Sequence, residues 1–239
     1  MERLFEQFYN TVIDNDYWQM LLQGLGATLL IAFCSAIIGI ILGFLIAMVR
    51  STYDMTLANK KCRHFGDVLL KFFNAVCNVY ITVIRGTPVL VQLMIMYYII
   101  FASSRNGIVA AIISFGINSG AYVAEIVRSG IMSVDKGQFE ASRSIGFNYR
   151  STMALIILPQ AFKNVLPALG NEFIVLFKET SVAGYVAIMD LTYMANLIIS
   201  RTYDAFFPLI IIALIYLVFV MLFSFLLKKL ERRLRNSDH

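Results

Sequence analysis

The sequence predicts an all-α integral membrane protein of about five transmembrane helices, with the N-terminus outside and the C-terminus cytoplasmic. Three observations carry that expectation. Of the 239 residues, 59% are hydrophobic and 15% charged, against about 25% charged in an ordinary soluble domain. Mean hydropathy is +0.73, and a chain of this size lacks the interior volume to hide so much apolar surface. Long charge-free runs alternate with basic clusters, a pattern that reports topology because Lys and Arg favour cytoplasmic loops. A disordered chain, a collagen-like fibre and a nucleic-acid-binding tail are excluded. The lipid bilayer is the expected surroundings, with no nucleic-acid partner.

A bilayer core of roughly 30 Å needs about 20 apolar helical residues. The first sixteen residues do not read as a signal peptide, because they carry Glu2, Glu6, Asp14 and Asp16 and lack a basic leader. Tyr17–Val49 is a charge-free run long enough to span. Arg50, Lys60, Lys61 and Arg63 follow it and place that loop in the cytoplasm. Asp67–Ile84 reads as an amphipathic or interfacial helix leading into a second span, with a break at Gly86 and Pro88. Gly86–Ser104 and Asn106–Ala124 are each just long enough to span, with Arg105 between them.

Arg128, Lys136, Arg143, Arg150 and Lys163 mark a second cytoplasmic segment, and Lys228, Lys229, Arg232, Arg233 and Arg235 put the C-terminus inside. The chain is therefore inside near Lys163 and inside again near Lys228, so the Ala205–Leu227 span needs another crossing before it. Leu166–Met189 is the segment that supplies it, although Glu172, Lys178 and Glu179 interrupt its apolar run. The other reading makes that segment interfacial and the last run a re-entrant hairpin. With no solenoid repeat and no low-complexity linker, residues 1–239 read as one membrane domain with a cytoplasmic segment at about 134–165.

No catalytic residues are predicted. The chain has no GxxxxGK[ST] phosphate loop, no HExxH, no GxSxG and no GxGxxG. Cys34, Cys62 and Cys77 have no CxxC spacing, and His64 and His239 stand far apart, so neither a metal nor a cofactor is expected in this chain. Candidate pathway residues come instead from polar groups at membrane depth. A charged side chain near mid-bilayer is costly and should face a partner or an aqueous cavity. Glu172 and Glu179 are seven apart and share a helix face, with Lys178 about 100° around the helix. That surface suits a ligand carrying both an amine and a carboxylate. An ion-pair network between helices, or charges snorkelling to the interface, would use the same residues. Arg85-Gly86-Thr87-Pro88 with Gln92 forms a second candidate, since backbone freed by a Gly–Thr–Pro break is tolerated only against protein or a wet cavity. Thr87 and Gln92 would line it. A plain helix start with Pro in its first turn is the alternative. The third feature is Glu140-Ala141-Ser142-Arg143-Ser144-Ile145-Gly146, continuing to Ile156, Leu158 and Pro159. It reads as a short helix, a turn at Gly146 and a second helix, shaped to lie on the bilayer surface or in a groove on another protein.

Glu140-Ala141, Gly146 six residues after Glu140, and then Ile156, Leu158 and Pro159 resemble the EAA motif of ABC importer permeases of the type I fold. The motif's common second Ala is Ser142 here. Arg85-Gly86-Thr87-Pro88 with Gln92 is similar to the RGTPxxxQ stretch of the polar amino acid uptake branch. Ala121-Tyr122, Glu125, Arg128 and Gly137-Gln138 are similar to the run that leads into that branch's EAA loop. Pro159-Gln160-Ala161, Asn171, Lys178, Thr180 and Ser181 resemble its fourth span. The similarity covers roughly residues 20–230.

The resemblance implies a membrane subunit of an ATP-driven importer in the bacterial cytoplasmic (inner) membrane. Two copies, or this chain and a similar one, would form the pathway. Two ATP-binding cassette subunits would bind ATP and Mg and dock on the EAA helices, and an extracellular binding protein would deliver the amino acid. Glu140, Ala141, Ser142 and Gly146 would couple to the ATPases. Glu172, Lys178, Glu179, Thr180, Thr87 and Gln92 would contact substrate. The acidic residues favour a cationic amino acid, whereas Lys178 and the amides suit glutamine, glutamate or cystine. The competing expectation is an ion-coupled secondary transporter or channel subunit, which also uses intramembrane Glu and Lys.

Overall fold

The computed structural model describes residue 9 and residues 16–58, 64–103 and 106–235. Among these residues every regular element is helical. In chain order they are α1 (Tyr17–Thr56), α2 (Phe65–Gly86), α3 (Val89–Ile95) with a π turn over Met96–Ile100, and α4 (Gly107–Met132). There follow α5 (Lys136–Ser144), α6 (Tyr149–Thr152) with a π turn over Met153–Ile157, α7 (Leu158–Glu179) with a 3-10 turn over Thr180–Val186, α8 (Leu191–Thr202) and α9 (Phe206–Arg235). Five helical runs are long and apolar enough to cross a membrane: Tyr17–Thr56, Phe65–Gly86, Gly107–Met132, Tyr149–Val186 and Phe206–Leu234.

The number of spans agrees with the sequence, but the second is displaced. The run long enough to span is α2, where an interfacial helix was expected, while Val89–Ile100 is shorter. Lys71 and Arg85 cut α2 into short charge-free stretches, yet Ala, Val, Leu and Phe carry the helix through both. The helix stops at Thr87 because Pro88 drives the preceding residue into extended backbone, and Thr87 sits at φ −121° and ψ 145°. The first span also runs further than its charge-free segment. Arg50 lies inside α1, six residues before its end, rather than in a loop. Lys60, Lys61 and Arg63 of the expected first basic cluster, and Arg105, lie outside the described residues.

The chain divides into two compact units. One is built from Met1–Ala36, Val89–Gly116 and Phe173–Lys228. Its core brings together Ile31, Leu93, Phe115, Leu176, Val186 and Ile188, all fully or nearly buried. A second cluster joins Leu21, Leu191, Ala195, Ile198 and Ile212. Phe177 anchors an aromatic group, with ring centroids 5.3 Å from Tyr216 and 5.4 Å from Phe223.

The other unit is built from Ile37–Pro88, Ile117–Glu172 and Lys229–His239. Its core contains Ala47, Val123, Val127, Ile131, Met153, Ile157 and Val165. Here α1 and α4 touch through their backbones. A Cβ at Gly43 would fall 2.5 Å from Val123 Cγ1, and one at Gly39 would fall 2.9 Å from Ser119 Cβ. Small residues four apart allow this close approach where lipid-like surroundings supply no hydrophobic drive between helices. One face of α2 stays bare, with Phe65, Phe72, Val76, Val79 and Val83 all exposed. Apolar side chains at that spacing suit a lipid-facing surface.

Candidate functional site

The EAA-like segment folds as α5, a turn and α6, all within the second unit. Asp135 caps α5, accepting a hydrogen bond from the Gly137 amide at 2.7 Å. The end of α5 is a Schellman turn. The Gly146 amide donates to the Arg143 carbonyl at 3.1 Å, and the Phe147 amide to the Ser142 carbonyl at 3.1 Å. Gly146 sits at φ +93°, a region open to glycine and strained for other residues. Asn148 then caps α6 through the Ser151 amide at 2.9 Å. Turn geometry therefore fixes how α5 leaves the chain.

The four expected coupling residues divide by environment. Glu140 and Ala141 are exposed, and Glu140 lines a cavity of about 360 Å³ with Asp54, Asp135, Lys136 and Phe139. Ser142 is 2% exposed. Its hydroxyl lies 2.8 Å from the Phe139 carbonyl and 3.1 Å from the Thr152 hydroxyl. Ser in place of the motif's Ala thus ties α5 to α6. Phe139 stacks edge-on to Tyr149 at 6.0 Å, and the Tyr149 hydroxyl donates to Thr52 at 3.2 Å, so α1 braces the same segment.

The candidate pathway residues fall into both units. In the second, Glu172 is half-buried and its Oε1 accepts the Ser119 hydroxyl at 3.0 Å. Thr87 is exposed, and its hydroxyl donates to the Val83 carbonyl at 2.8 Å. In the first unit, Gln92 is half-buried on α3, Lys178 is exposed and Glu179 is half-buried at the end of α7. Thr180 is 0% exposed, and its hydroxyl donates to the Phe177 carbonyl at 2.7 Å, where the α-helix tightens into a 3-10 turn.

Two polar clusters were not anticipated. Glu125 on α4 pairs with Arg50 on α1 and, at 3.2 Å, with Arg128, which in turn holds Asp54 at 3.0 Å. Nothing local pairs residues 74 or 75 positions apart, since a helix face reports only its own neighbours. Arg85 lies over the Tyr122 ring at 5.1 Å and lines a cavity of about 560 Å³ with Glu125, Arg128, Ser129, Ser133 and Asn164. The second cluster surrounds Asp190, which is fully buried. Its carboxylate accepts the Tyr193 amide at 2.7 Å, and the Thr28 hydroxyl accepts the Leu191 amide at 3.0 Å. Burial pushes the Asp190 carboxyl up to about 6. The Asp190-Leu191-Thr192-Tyr193 run was readable as a helix N-cap.

Residues 68–236 match the family described as "Binding-protein-dependent transport system inner membrane component". The chain belongs to this family. It is 38% identical over 217 residues to the "Putative glutamine transport system permease protein GlnP" of Rickettsia typhi (strain ATCC VR-144 / Wilmington), covering 90% of this chain and 92% of that one. It is 37% identical over 222 residues to the "Arginine transport system permease protein ArtQ" of Bacillus subtilis (strain 168), covering 91% and 94%. A solved structure titled "Crystal structure of an amino acid ABC transporter with histidines" matches with a TM-score of 0.79 and 42% identity, over 91% of this chain and 95% of that chain. As a member of the family, this multi-pass helical protein is a membrane component of a binding-protein-dependent ABC transport system.

Proposed function

We propose that this chain is the permease subunit of an ATP-driven importer for polar amino acids, working in the bacterial cytoplasmic membrane as one transmembrane domain. The observation that carries the reading is the pairing of an exposed, rigidly capped α5, whose Glu140 and Ala141 face outward, with a half-buried carboxylate at membrane depth, Glu172. The N-terminus lies outside and the C-terminus inside. Two copies, or this chain and a similar one, enclose the pathway. Two ATP-binding cassette subunits hold ATP and Mg, hydrolyse the nucleotide and dock on the segment at about 134–165. An extracellular binding protein delivers the amino acid.

In this reading Glu140 and Ala141 enter the ATPase groove, Ser142 fastens α5 to the helix that follows, and Gly146 sets the angle between them. Glu172, Lys178, Glu179, Thr87 and Gln92 present polar groups to substrate, and Thr180 turns the chain after them. The relatives are named for glutamine and arginine transport, which supports an amino acid as cargo. Purification in mild detergent tests the reading. An ATP-binding subunit should copurify at one per permease copy, and liposomes holding the complex should take up an amino acid only with ATP and the binding protein. A chain that purifies alone and moves solute on an ion gradient without ATP would overturn it.

A further inference from the structure

Arg85 is a membrane-helix cation with an unfilled role. It occupies the last turn of α2, and its guanidinium rests on the face of Tyr122, 5.1 Å from the ring centroid. Tyr122 is ten residues from the end of α4, about 15 Å along that helix. Arg85 therefore lies beside the middle of α4, although it is exposed and stands one residue before the end of α2. Among the described residues it makes no ion pair and no hydrogen bond. The carboxylate that shares its cavity is already committed, since Glu125 holds both Arg50 and Arg128. Asp54 is committed to Arg128 as well. Three guanidinium groups and two carboxylates leave one positive charge. The Nε of Arg128 is also buried without a hydrogen-bond partner among the described residues.

An unpaired guanidinium at membrane depth calls for an anion or a wet cavity. Its planar fork matches a carboxylate with two parallel hydrogen bonds. The cavity is about 560 Å³ and polar along the Ser129, Ser133 and Asn164 side, so it has room for such a group. Ala168, which also lines it, precedes Glu172 on α7 by one turn, about 6 Å of helix rise. That is a span an amino acid bridges between its carboxylate and the polar end of its side chain.

We propose that Arg85 is the carboxylate-recognising residue of the pathway, and that its cavity receives the α-carboxylate of the transported amino acid while Glu172 faces the substrate's cationic or amide end. The inference rests on the importer reading above. Tyr122 acts as a positioning residue that keeps the guanidinium flat and clear of Glu125. Residues on α2, α4 and α7 then read the two ends of one ligand.

The test uses the whole permease–ATPase complex in nanodiscs, without nucleotide. The probes are radiolabelled L-arginine, L-glutamine and L-cystine, each against its α-carboxamide. Wild type should bind one of these amino acids at least tenfold more tightly than the amide. Arg85→Gln should weaken that acid about tenfold or more and leave the amide unchanged, and Arg85→Lys should recover part of the loss. Equal loss of acid and amide, or no loss, would overturn the assignment. So would an Arg85→Gln effect that appears in anionic-lipid nanodiscs but not in zwitterionic ones, since the occupant would then be a lipid phosphate. A variant that no longer retains its partner subunits would make Arg85 an assembly residue. Wild type that transports with ATP yet binds none of the probes sinks this inference and leaves the importer standing. A complex with no ATP-driven uptake sinks the importer reading itself.

Discussion

The Ser119 hydroxyl donates to Glu172 Oε1 at 3.0 Å, joining α4 to α7 inside one compact unit. The bond ties a half-buried carboxylate of α7 to a side chain of α4. Glu172→Gln keeps the shape and removes the charge. A charge-assisted hydrogen bond contributes roughly 1.5–3 kcal/mol, so transport efficiency should fall about tenfold or more in reconstituted liposomes. Ser119→Ala leaves the charge in place and should cost about two- to fivefold. Equal and wild-type uptake by both variants, for every amino acid tried, would return Glu172 to a purely structural role.

Glu140 points outward from α5 and makes no ion pair among the described residues. Reversing its charge should therefore spare the fold. Glu140→Lys is expected to unfold within a degree or two of wild type, yet to lose ATP-driven uptake and binding-protein-stimulated ATP hydrolysis. Gly146→Ala acts on the same segment by geometry. At φ +93° a Cβ costs about 1–2 kcal/mol, so the turn should relax and coupling should drop while the spans stay intact. Normal uptake by both variants would remove α5 from the coupling role.

Ser142 separates packing from coupling. Its hydroxyl is buried between the Phe139 carbonyl and the Thr152 hydroxyl. Ser142→Ala restores the family's usual residue but leaves Thr152 without that neighbour. A loss of about 1 kcal/mol is expected, seen as a small drop in the thermal midpoint of the detergent-solubilised chain. Uptake should be nearly unchanged, because Ala is what the motif commonly holds. A large transport defect at unchanged stability would show that the hydroxyl takes part in the contact with the ATPase.

How much the sequence revealed depended on whether a feature was local. The α5 turn was legible because Asp135, Gly146 and Asn148 each act on backbone groups within three residues. The existence of five spans was legible from apolar length. The place of the second was not, because Lys71 and Arg85 interrupt the run without interrupting the helix. Most opaque were groups that acquire meaning only from a distant partner. Arg50 looked like a topology marker, yet it is an ion-pair residue within α1, and Arg85 stood out only as the first residue of the Gly–Thr–Pro break, with nothing local to point to Tyr122. Glu172 was singled out by the cost of its charge alone, and nothing in its own segment pointed to Ser119.

Asp190 gives the pH prediction. It is fully buried at the start of α8, with the Tyr193 amide on its carboxylate and Thr28 of α1 close by on the Leu191 amide. The ionisable group that faces it from α9 is the Tyr216 phenol, uncharged across mildly acidic pH. Burial raises the folded-state value from 3.8 to about 6, so between those values the folded protein holds more protons than the unfolded chain. Stability then falls as pH rises through that window. The contribution is fully present below about pH 4 and gone above about pH 6, and amounts to something on the order of 3 kcal/mol. Other carboxylates also ionise across this range, so the Asp190 share must be isolated by difference. Asp190→Asn keeps an acceptor for the Tyr193 amide and cannot ionise. The thermal midpoint of the variant minus that of wild type should therefore grow as pH rises from 4 to 6, and level off above. A difference that is flat across the window would mean that Asp190 titrates at its ordinary value and that the cap, rather than the proton, sets its worth.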